Sequence, residues 1–195
     1  HELFRQDFPL RDQTTKHKLK TFERVDHIVS ISHRTKKDLV EIFGIDDAKI
    51  SVVHLGVDVG KCQNIISENS NRRPFLLYVG VRSGYKNFTS VVRAIASSPI
   101  LRKEFDLIAF GGGAFSVDEL QLFKDLGYSA SQVKQMSGDD TVLAMLYDQA
   151  VTFIYPSLYE GFGLPPLEAM AAGCPVVCSN SSSIPEVVND AGEYF

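Results

Sequence analysis

From Pro74 onward the sequence alternates short apolar runs with helix-like segments, and this alternation constrains the fold most. The run Phe75 to Val79 ends at Gly80, and the run Phe105 to Phe110 ends in the glycines 111–113. Apolar runs of this length between helices are typical of a parallel sheet covered on both faces. We therefore predict an α/β fold with a Rossmann-like, doubly wound sheet, which binds ligands outside the carboxyl ends of its strands.

The residues before this alternation predict a separate helix–strand–helix–strand unit. Its strands are expected at His27 to Ile31 and at Lys49 to Leu55. Ser32 can cap the helix between them, which should end at Gly44. A polar, aperiodic stretch then resembles a connector. These patterns divide the chain into residues 1–58, a connector at 59–73 and a second unit at 74–195. Because the chain begins without a preceding strand and ends on a strand without a helix, we expect a fragment of a longer protein.

Composition excludes several classes of protein. The 195 residues carry 24 acidic and 20 basic side chains, a formal net charge of −4, whereas general nucleic-acid binders are usually basic. Three cysteines are too few for a disulfide scaffold. No stretch reaches the ~18 apolar residues of a membrane helix, and the polar first residues do not predict a signal peptide. We expect a cytoplasmic protein with no nucleic-acid partner.

Two cations lie in the loop that follows the first predicted strand of the larger unit. Arg82 and Lys86 follow Gly80 by two and six residues, in a part of the chain where bases outnumber acids. Arginine offers a fork of donors to phosphate oxygens and lysine a point charge. The loop therefore predicts a diphosphate site, although two solvated surface cations would give the same pattern.

Two glutamates form the strongest signal. Glu160 lies in a loop after a predicted strand, and Glu168 lies in the first turn of the next helix, with seven residues between them. The glycines at 161 and 163 allow backbone N–H groups to face a ligand. A carboxylate can accept hydrogen bonds from two neighbouring sugar hydroxyls. Alone, Glu168 would be read as a helix-dipole partner and Glu160 as a solvated acid.

Two other patterns predict little chemistry. The turn Gly111 to Gly113 fails the dinucleotide fingerprint, because position 116 is Ser, and the acids Asp118 and Glu119 would repel a phosphate there. We expect it to allow close backbone approach. The histidines have no metal-ligand spacing, so no metal or other cofactor is expected; they are His17, His27, His33 and His54.

The segment YPSLYEGFGLPPLEAMAAGCPVV resembles glycosyltransferase family 4, the group 1 transferases of the GT-B fold. Glu160 and Glu168 match the E-x7-E motif of its retaining enzymes. LYVGVRSGYKNF resembles the family's phosphate-binding loop, and VDHIVSISHRTKKDL and ISVVHLGVD resemble the end of its N-terminal lobe. The resemblance implies that residues 1–58 are the tail of a Rossmann-like acceptor lobe and that residues 74–195 are a truncated nucleotide-sugar lobe.

The resemblance also implies residue roles. Lys86 and Arg82 would hold the donor diphosphate, and Glu160 would contact the donor sugar; these are the predicted catalytic residues. Glu168 would bind the nucleotide ribose. The other implied donor-binding positions are Gly80, the backbone of Phe162, Gly163 and Leu164, Val133 where the base is held, and a cleft histidine that His1 could match.

The implied activity is hexosyl transfer, with retention and without a metal, from a nucleotide-diphosphate sugar to a glycan or lipid-linked hydroxyl in polysaccharide biosynthesis. The missing lobe could associate peripherally with the inner face of a membrane. Two alternatives stay open. The chain alone could bind nucleotide sugar without catalysis, and we expect it to be inactive in isolation. The whole protein could instead be another GT-B enzyme, a nucleotide-sugar epimerase or a phosphorylase.

Overall fold

The structure, a computed structural model, describes residues 3–4, 13–58 and 73–195. His1 and nearly all of the predicted connector therefore lie outside the described residues. No described helix is long and apolar enough to cross a lipid bilayer.

A small unit precedes the main sheet. It contains α1 (Thr14–Phe22), β1 (Ile28–Ser30), α2 (His33–Phe43) and β2 (Ile50–Val52), and its two strands pair in parallel. The Ser32 hydroxyl accepts a hydrogen bond from the Thr35 N–H at 2.9 Å, and Gly44 ends α2 with a φ of 65°. Both helix boundaries follow the predicted capping residues.

The larger unit contains a six-stranded sheet. Its strands are β3 (Phe75–Val79), β4 (Asp106–Phe110), β5 (Val133–Met136), β6 (Thr152–Tyr155), β7 (Val176–Cys178) and β8 (Gly192–Tyr194). All neighbours pair in parallel, in the order β5-β4-β3-β6-β7-β8. The chain thus winds outward from β3 in one direction and from β6 in the other. This confirms the predicted doubly wound sheet and puts its switch point between β3 and β6.

Six helices connect these strands: α3 (Phe88–Ser97), α4 (Pro99–Glu104), α5 (Val117–Asp125), α6 (Asp140–Gln149), α7 (Leu164–Ala171) and α8 (Ile184–Val188). Alternate residues of β3 face opposite cores, as a strand requires. Leu76 and Tyr78 belong to the core that includes α3 and α5, whereas Leu77 belongs to the core that includes α6, α7 and α8. The short α4 is not predicted by the sequence pattern, although Ser98 caps it and Pro99 opens it.

Candidate functional site

The loops after β3 and β6 meet at the switch point. Gly80 follows β3 with a φ of 123°, and a single 3-10 turn at Gly84–Lys86 leads into α3. The N–H of Leu158, in the loop after β6, donates to the carbonyl of Tyr85 at 2.8 Å. The two predicted ligand-binding loops are therefore joined directly.

An ion pair bridges these loops. The Nζ of Lys86 lies 2.7 Å from the Oε1 of Glu160, and the two side chains are 18% and 13% exposed. The ammonium also lies over the rings of Tyr85 and Tyr155, 5.5 and 5.8 Å from their centroids. The structure thus brings together two of the three predicted catalytic residues in a partly buried contact.

Two buried tyrosines lie next to this ion pair and its loop. Tyr155 is 2% exposed, and burial, with the charge of Glu160, raises the pKa of its phenol. Burial likewise raises the pKa of Tyr78, whose hydroxyl donates to the carbonyls of Val81 at 2.5 Å and Lys86 at 3.4 Å. Both phenols therefore stay protonated, and Tyr78 ties the two ends of the cationic loop together.

Serines of the larger unit hold the backbone around Glu160. The hydroxyls of Ser182 and Ser183 donate to the Glu160 carbonyl at 2.6 and 2.8 Å, and Ser183 also lies 2.7 Å from the carbonyl of Phe162. Sequence analysis missed both serines. The signal was the run of three serines before α8, since serine hydroxyls commonly bond local backbone groups.

Hydroxyls from α2 hold the next carbonyl. Ser32 donates to Gly161 O at 2.7 Å, and Thr35 donates to the same oxygen at 3.0 Å. Sequence analysis assigned Ser32 only a capping role. Ser32 and Gly161 are 129 residues apart in the sequence, so no local sequence pattern could predict this second role. The loop that carries Glu160 is therefore held by both units.

Glu168 lies in a separate compartment. It lines a cavity of about 240 Å³ between α6, α7 and residues 56–58, together with Leu143, Tyr147 and Leu164. The Tyr147 hydroxyl lies 3.4 Å from its Oε2. Glu160 is not among the described residues that line this cavity. The two glutamates of the motif therefore face different surroundings, one a cation and the other a mostly apolar cavity.

Arg82 does not join Lys86 at the switch point. Its guanidinium turns to the next loop, where Nε lies 2.6 Å from Glu119 Oε1, Nη1 lies 3.0 Å from Gly111 O and Nη2 lies 2.9 Å from Ala114 O. The two cations thus have different protein partners, Glu119 and Glu160, and the expectation that they hold one diphosphate together stays a prediction. Sequence analysis considered Glu119 only as a repulsive charge.

Val133 lies at the beginning of its strand. It is buried in the core beside α3 and α5 and pairs with Leu107 at the beginning of β5. The carboxyl end of that strand is Met136, three residues or roughly 10 Å further on. The ligand edge of the sheet is therefore formed at this strand by Met136 and the residues after it, and a base contact at Val133 stays a prediction.

The remaining predicted positions cluster at the start of α7. Gly163 precedes that helix with a φ of 128°, and Leu164 is its first residue. The ring of Phe162 is buried and packs 5.8 Å from the ring of His54. These three residues therefore connect the Glu160 loop to the Glu168 cavity.

One group of side chains in the described ranges 13–58 and 73–195 has the composition of a metal site. Ligand atoms of His33, His54 and Glu186 lie within 4.8 Å of one another. The two carboxylate oxygens of Glu186, however, accept from the backbone N–H of His33 at 2.8 and 3.0 Å, and Oε1 also accepts from His54 Nε2 at 2.5 Å. Burial would raise the pKa of Glu186, but these hydrogen bonds lower it overall. A carboxylate at the positive end of α2 suits this arrangement without a cation.

The chain matches two family profiles. Residues 63–194 match the profile described as glycosyl transferases group 1, and residues 1–61 match that of glycosyltransferase family 4. The chain belongs to the group 1 glycosyltransferases. Together the two matches cover almost all of it, which confirms the resemblance carried by the glutamate motif.

Named relatives of this group 1 chain include mannosyltransferases. It is 42% identical over 120 residues to O-antigen chain mannosyltransferase B of Escherichia coli, covering 60% of this chain and 32% of that protein. It is 26% identical to O-antigen chain mannosyltransferase RfbU of Salmonella typhimurium, covering 88% of this chain and 47% of the relative. The chain thus spans less than half the length of these curated relatives.

Solved structures share its fold. A structure of Anabaena HepE in complex with UDP-glucose matches with a TM-score of 0.79 at 19% identity, covering 97% of this chain and 55% of that one. WaaG, a glycosyltransferase involved in lipopolysaccharide biosynthesis, matches with a TM-score of 0.76 at 19% identity over 100% of this chain and 58% of WaaG.

Proposed function

We propose that the full-length protein transfers a hexose from a nucleotide-diphosphate sugar to a hydroxyl acceptor, with retention of configuration and without a metal. The observation that carries this is the Lys86–Glu160 ion pair at the switch point of the sheet. A cation and a carboxylate that neutralise each other there suit a ligand with a diphosphate and a polyol.

In this proposal the donor exchanges the contacts of the ion pair. The diphosphate becomes the partner of Lys86, and Glu160 is released to accept hydrogen bonds from sugar hydroxyls. Because Lys86 is only partly exposed, its charge acts in a medium of lower dielectric than water. Negative charge on the diphosphate is then stabilised as it develops, which is the contribution that raises a rate.

The chemical step breaks the bond between the anomeric carbon and the diphosphate oxygen, and the electron pair leaves with the diphosphate. The acceptor oxygen bonds to the anomeric carbon on the same face, and its proton passes to the departing diphosphate. No enzyme nucleophile is needed. Glu168 holds the ribose in the 240 Å³ cavity, where its contact is the same before and during reaction.

The substrate proposal rests on the relatives. Two are named O-antigen chain mannosyltransferases, and another is named for a diphospho-undecaprenol acceptor. We therefore propose a mannose donor and a glycan or lipid-linked acceptor in surface-polysaccharide synthesis, with the protein peripheral to the membrane. An epimerase or a phosphorylase is less favoured, since the relatives named above are transferases.

A mutant of Glu168 tests the donor site. In the full-length protein, Glu168→Gln should raise the donor KM and leave kcat nearly unchanged, because the ribose contact contributes uniform binding. Glu160→Gln should instead lower kcat. An unchanged donor KM in Glu168→Gln would reject the ribose assignment.

Transfer by the full-length protein should survive EDTA. Loss of activity that Mg²⁺ or Mn²⁺ restores would reject the metal-free mechanism.

A second candidate function concerns the 195 residues alone. Their span of less than half of the relatives favours nucleotide binding without transfer. Calorimetric titration with GDP and UDP should then give weak binding, in the high micromolar range or weaker. Multiple-turnover transfer by these 195 residues would contradict this expectation.

A further inference from the structure

Arg82 makes more hydrogen bonds than Lys86, the other described cation of its loop. Its side chain is only 5% exposed, although it comes four residues before Lys86 in the same loop. Besides Glu119, it bonds the carbonyls of Gly111 and Ala114 in the loop after β4. The guanidinium also stacks over Phe115, 4.7 Å from the ring centroid. Each polar edge of the fork therefore already has a partner.

Glu119 is built into the start of α5. Its Oε2 accepts from the Ser116 N–H at 2.8 Å, while the Ser116 hydroxyl accepts from the Glu119 N–H at 3.2 Å. Burial would raise the pKa of Glu119, but the hydrogen bonds from Arg82 and Ser116 lower it overall. The charged partner of Arg82 is thus fixed by a helix cap rather than carried on a mobile side chain.

The turn beside Arg82 leaves no space for a side chain. A Cβ added to Gly112 would lie 2.7 Å from Arg82 Nη1 and 2.9 Å from the carbonyl of Gly80. The loops after β3 and β4 are therefore in close contact, and the guanidinium fills the space between them. The Lys86 loop is held on this side by Arg82 and on the other by the Leu158 N–H on Tyr85 O.

We propose that Arg82 is a positioning residue that acts through Lys86. By joining the β3 loop to the Gly111–Gly113 turn and α5, it holds the Lys86 ammonium at the diphosphate position and does not contact the donor itself. The inference rests on the proposed function, since it assumes that Lys86 binds the diphosphate. If Arg82 acts by positioning, loss of Glu119 should reduce the preference for the diphosphate as much as loss of Arg82 does. If Arg82 instead contacts the phosphate directly, loss of Glu119 should not reduce that preference.

The test compares binding of GDP and GMP to the full-length protein, with UDP and UMP if the guanine nucleotides do not bind. The ratio of the two dissociation constants isolates the second phosphate. Lys86→Ala should remove most of the preference for the diphosphate. Arg82→Met and Glu119→Gln should each reduce that preference about three- to tenfold, and the double variant should lose no more than Arg82→Met alone. Arg93→Met, an exposed arginine on α3, is the matched control.

A conservative variant, Arg82→Lys, also distinguishes positioning by Arg82 from direct contact with the phosphate. Arg82→Lys should behave like Arg82→Met, because an ammonium cannot replace a planar fork that bonds one carboxylate and two carbonyls. If Arg82 contacts phosphate directly, Arg82→Lys should retain much of the diphosphate preference, and Glu119→Gln should leave it unchanged or raise it. Either result would overturn the inference.

The outcomes separate the two proposals. If neither Lys86→Ala nor Glu160→Gln changes the diphosphate preference, the proposed donor site itself is wrong. If Lys86→Ala removes that preference while Glu119→Gln does not, only the role of Arg82 is wrong. Equal weakening of GDP and GMP in Arg82→Met would indicate a structural role without positioning, and would also contradict the inference. Should Arg82→Met not fold, Glu119→Gln and Arg82→Lys carry the same comparison.

Discussion

Two cation–glutamate pairs lie in neighbouring loops at one edge of the sheet, and they differ in how firmly the cation is held. Lys86 meets Glu160 at 2.7 Å with side chains 18% and 13% exposed. Arg82 meets Glu119 at 2.6 Å with side chains 5% and 21% exposed, and it also bonds two carbonyls. One pair is a point contact that a ligand can replace, whereas the other is a saturated fork.

Position in a loop does not decide what a cation does. Both residues follow β3, and both were predicted to bind phosphate. The chemical difference is the geometry of the side chain: the arginine fork can satisfy several fixed acceptors at once, and the lysine ammonium can change partners without leaving them unpaired. A site of this kind can therefore use the arginine for rigidity and the lysine for exchange.

The largest expected effect is on folding, in Arg82→Met. The substitution leaves the Glu119 carboxylate and the Gly111 and Ala114 carbonyls without their partner, so the free energy of unfolding should fall by roughly 3 kcal/mol. Lys86→Ala should lower it by less than about 1 kcal/mol. Urea unfolding of both variants checks this, with Arg93→Met as control. Equal losses in the two variants would remove the distinction between the pairs.

Catalysis should respond in the opposite order. In the full-length protein, Lys86→Ala should lower kcat on the order of 10²-fold, about 2.7 kcal/mol in activation free energy, because charge grows on the diphosphate in the transition state. Lys124→Ala, which removes an exposed lysine of α5, should leave the rate unchanged. Steady-state kinetics with saturating donor make the measurement, and a wild-type kcat in Lys86→Ala would place the phosphate site elsewhere.

Two neighbouring glycines differ in how closely they approach Arg82. Both have positive φ, 67° at Gly112 and 73° at Gly113, but only at Gly112 would a Cβ meet Arg82 Nη1. Gly113→Ala should cost about 1 kcal/mol for its backbone conformation, and Gly112→Ala about 2 kcal/mol or more, because the guanidinium must also move. Thermal unfolding of the two variants side by side measures the difference, and identical losses would contradict the close approach.

Acid should reduce the contribution of Glu119. The pKa of Glu119 is lowered from 4.5 in the folded protein, so its stabilisation is present above the pKa of the unfolded chain and is lost as pH falls through the folded value. Glu119→Gln should therefore be less stable than the wild type by about 1 kcal/mol near pH 7. This difference should narrow below about pH 4.5. Urea unfolding midpoints of the two proteins from pH 7 to pH 3 test this. A stability difference that stays constant with pH would show that the charge of Glu119 does not contribute.

The fold followed from local patterns, because apolar runs and capping residues act over a few positions. The runs that end at Val79 and Phe110 became central strands, and the helix after Ser32 ended at Gly44. The glutamate motif is also local, since its two members lie on one loop and the helix that follows. Residue patterns were therefore sufficient for the architecture and for the place of the Lys86–Glu160 contact.

Partners chosen over long sequence distances could not be predicted. Arg82 and Glu119 are 37 residues apart, and either could have been solvated. In the four-residue strand β5, the buried first residue, Val133, and the carboxyl end, Met136, differ by three positions, which the apolar pattern does not resolve. Thr35 carries no signal of its contact with Gly161, because a hydroxyl on a helix is ordinarily a local hydrogen-bonding group.

The contact of Ser32 and Thr35 with the Gly161 carbonyl has a consequence for protein engineering. On the predicted division of the chain, with a connector at residues 59–73, a chimera would be cut in that connector, so that the predicted sugar-nucleotide unit could be exchanged as a cassette. A cassette that begins after that cut would import a glutamate loop and leave behind the two hydroxyls that hold its backbone. Donor grafts should therefore carry α2 with them, or match its first turn to the incoming loop, even though α2 lies on the other side of the cut.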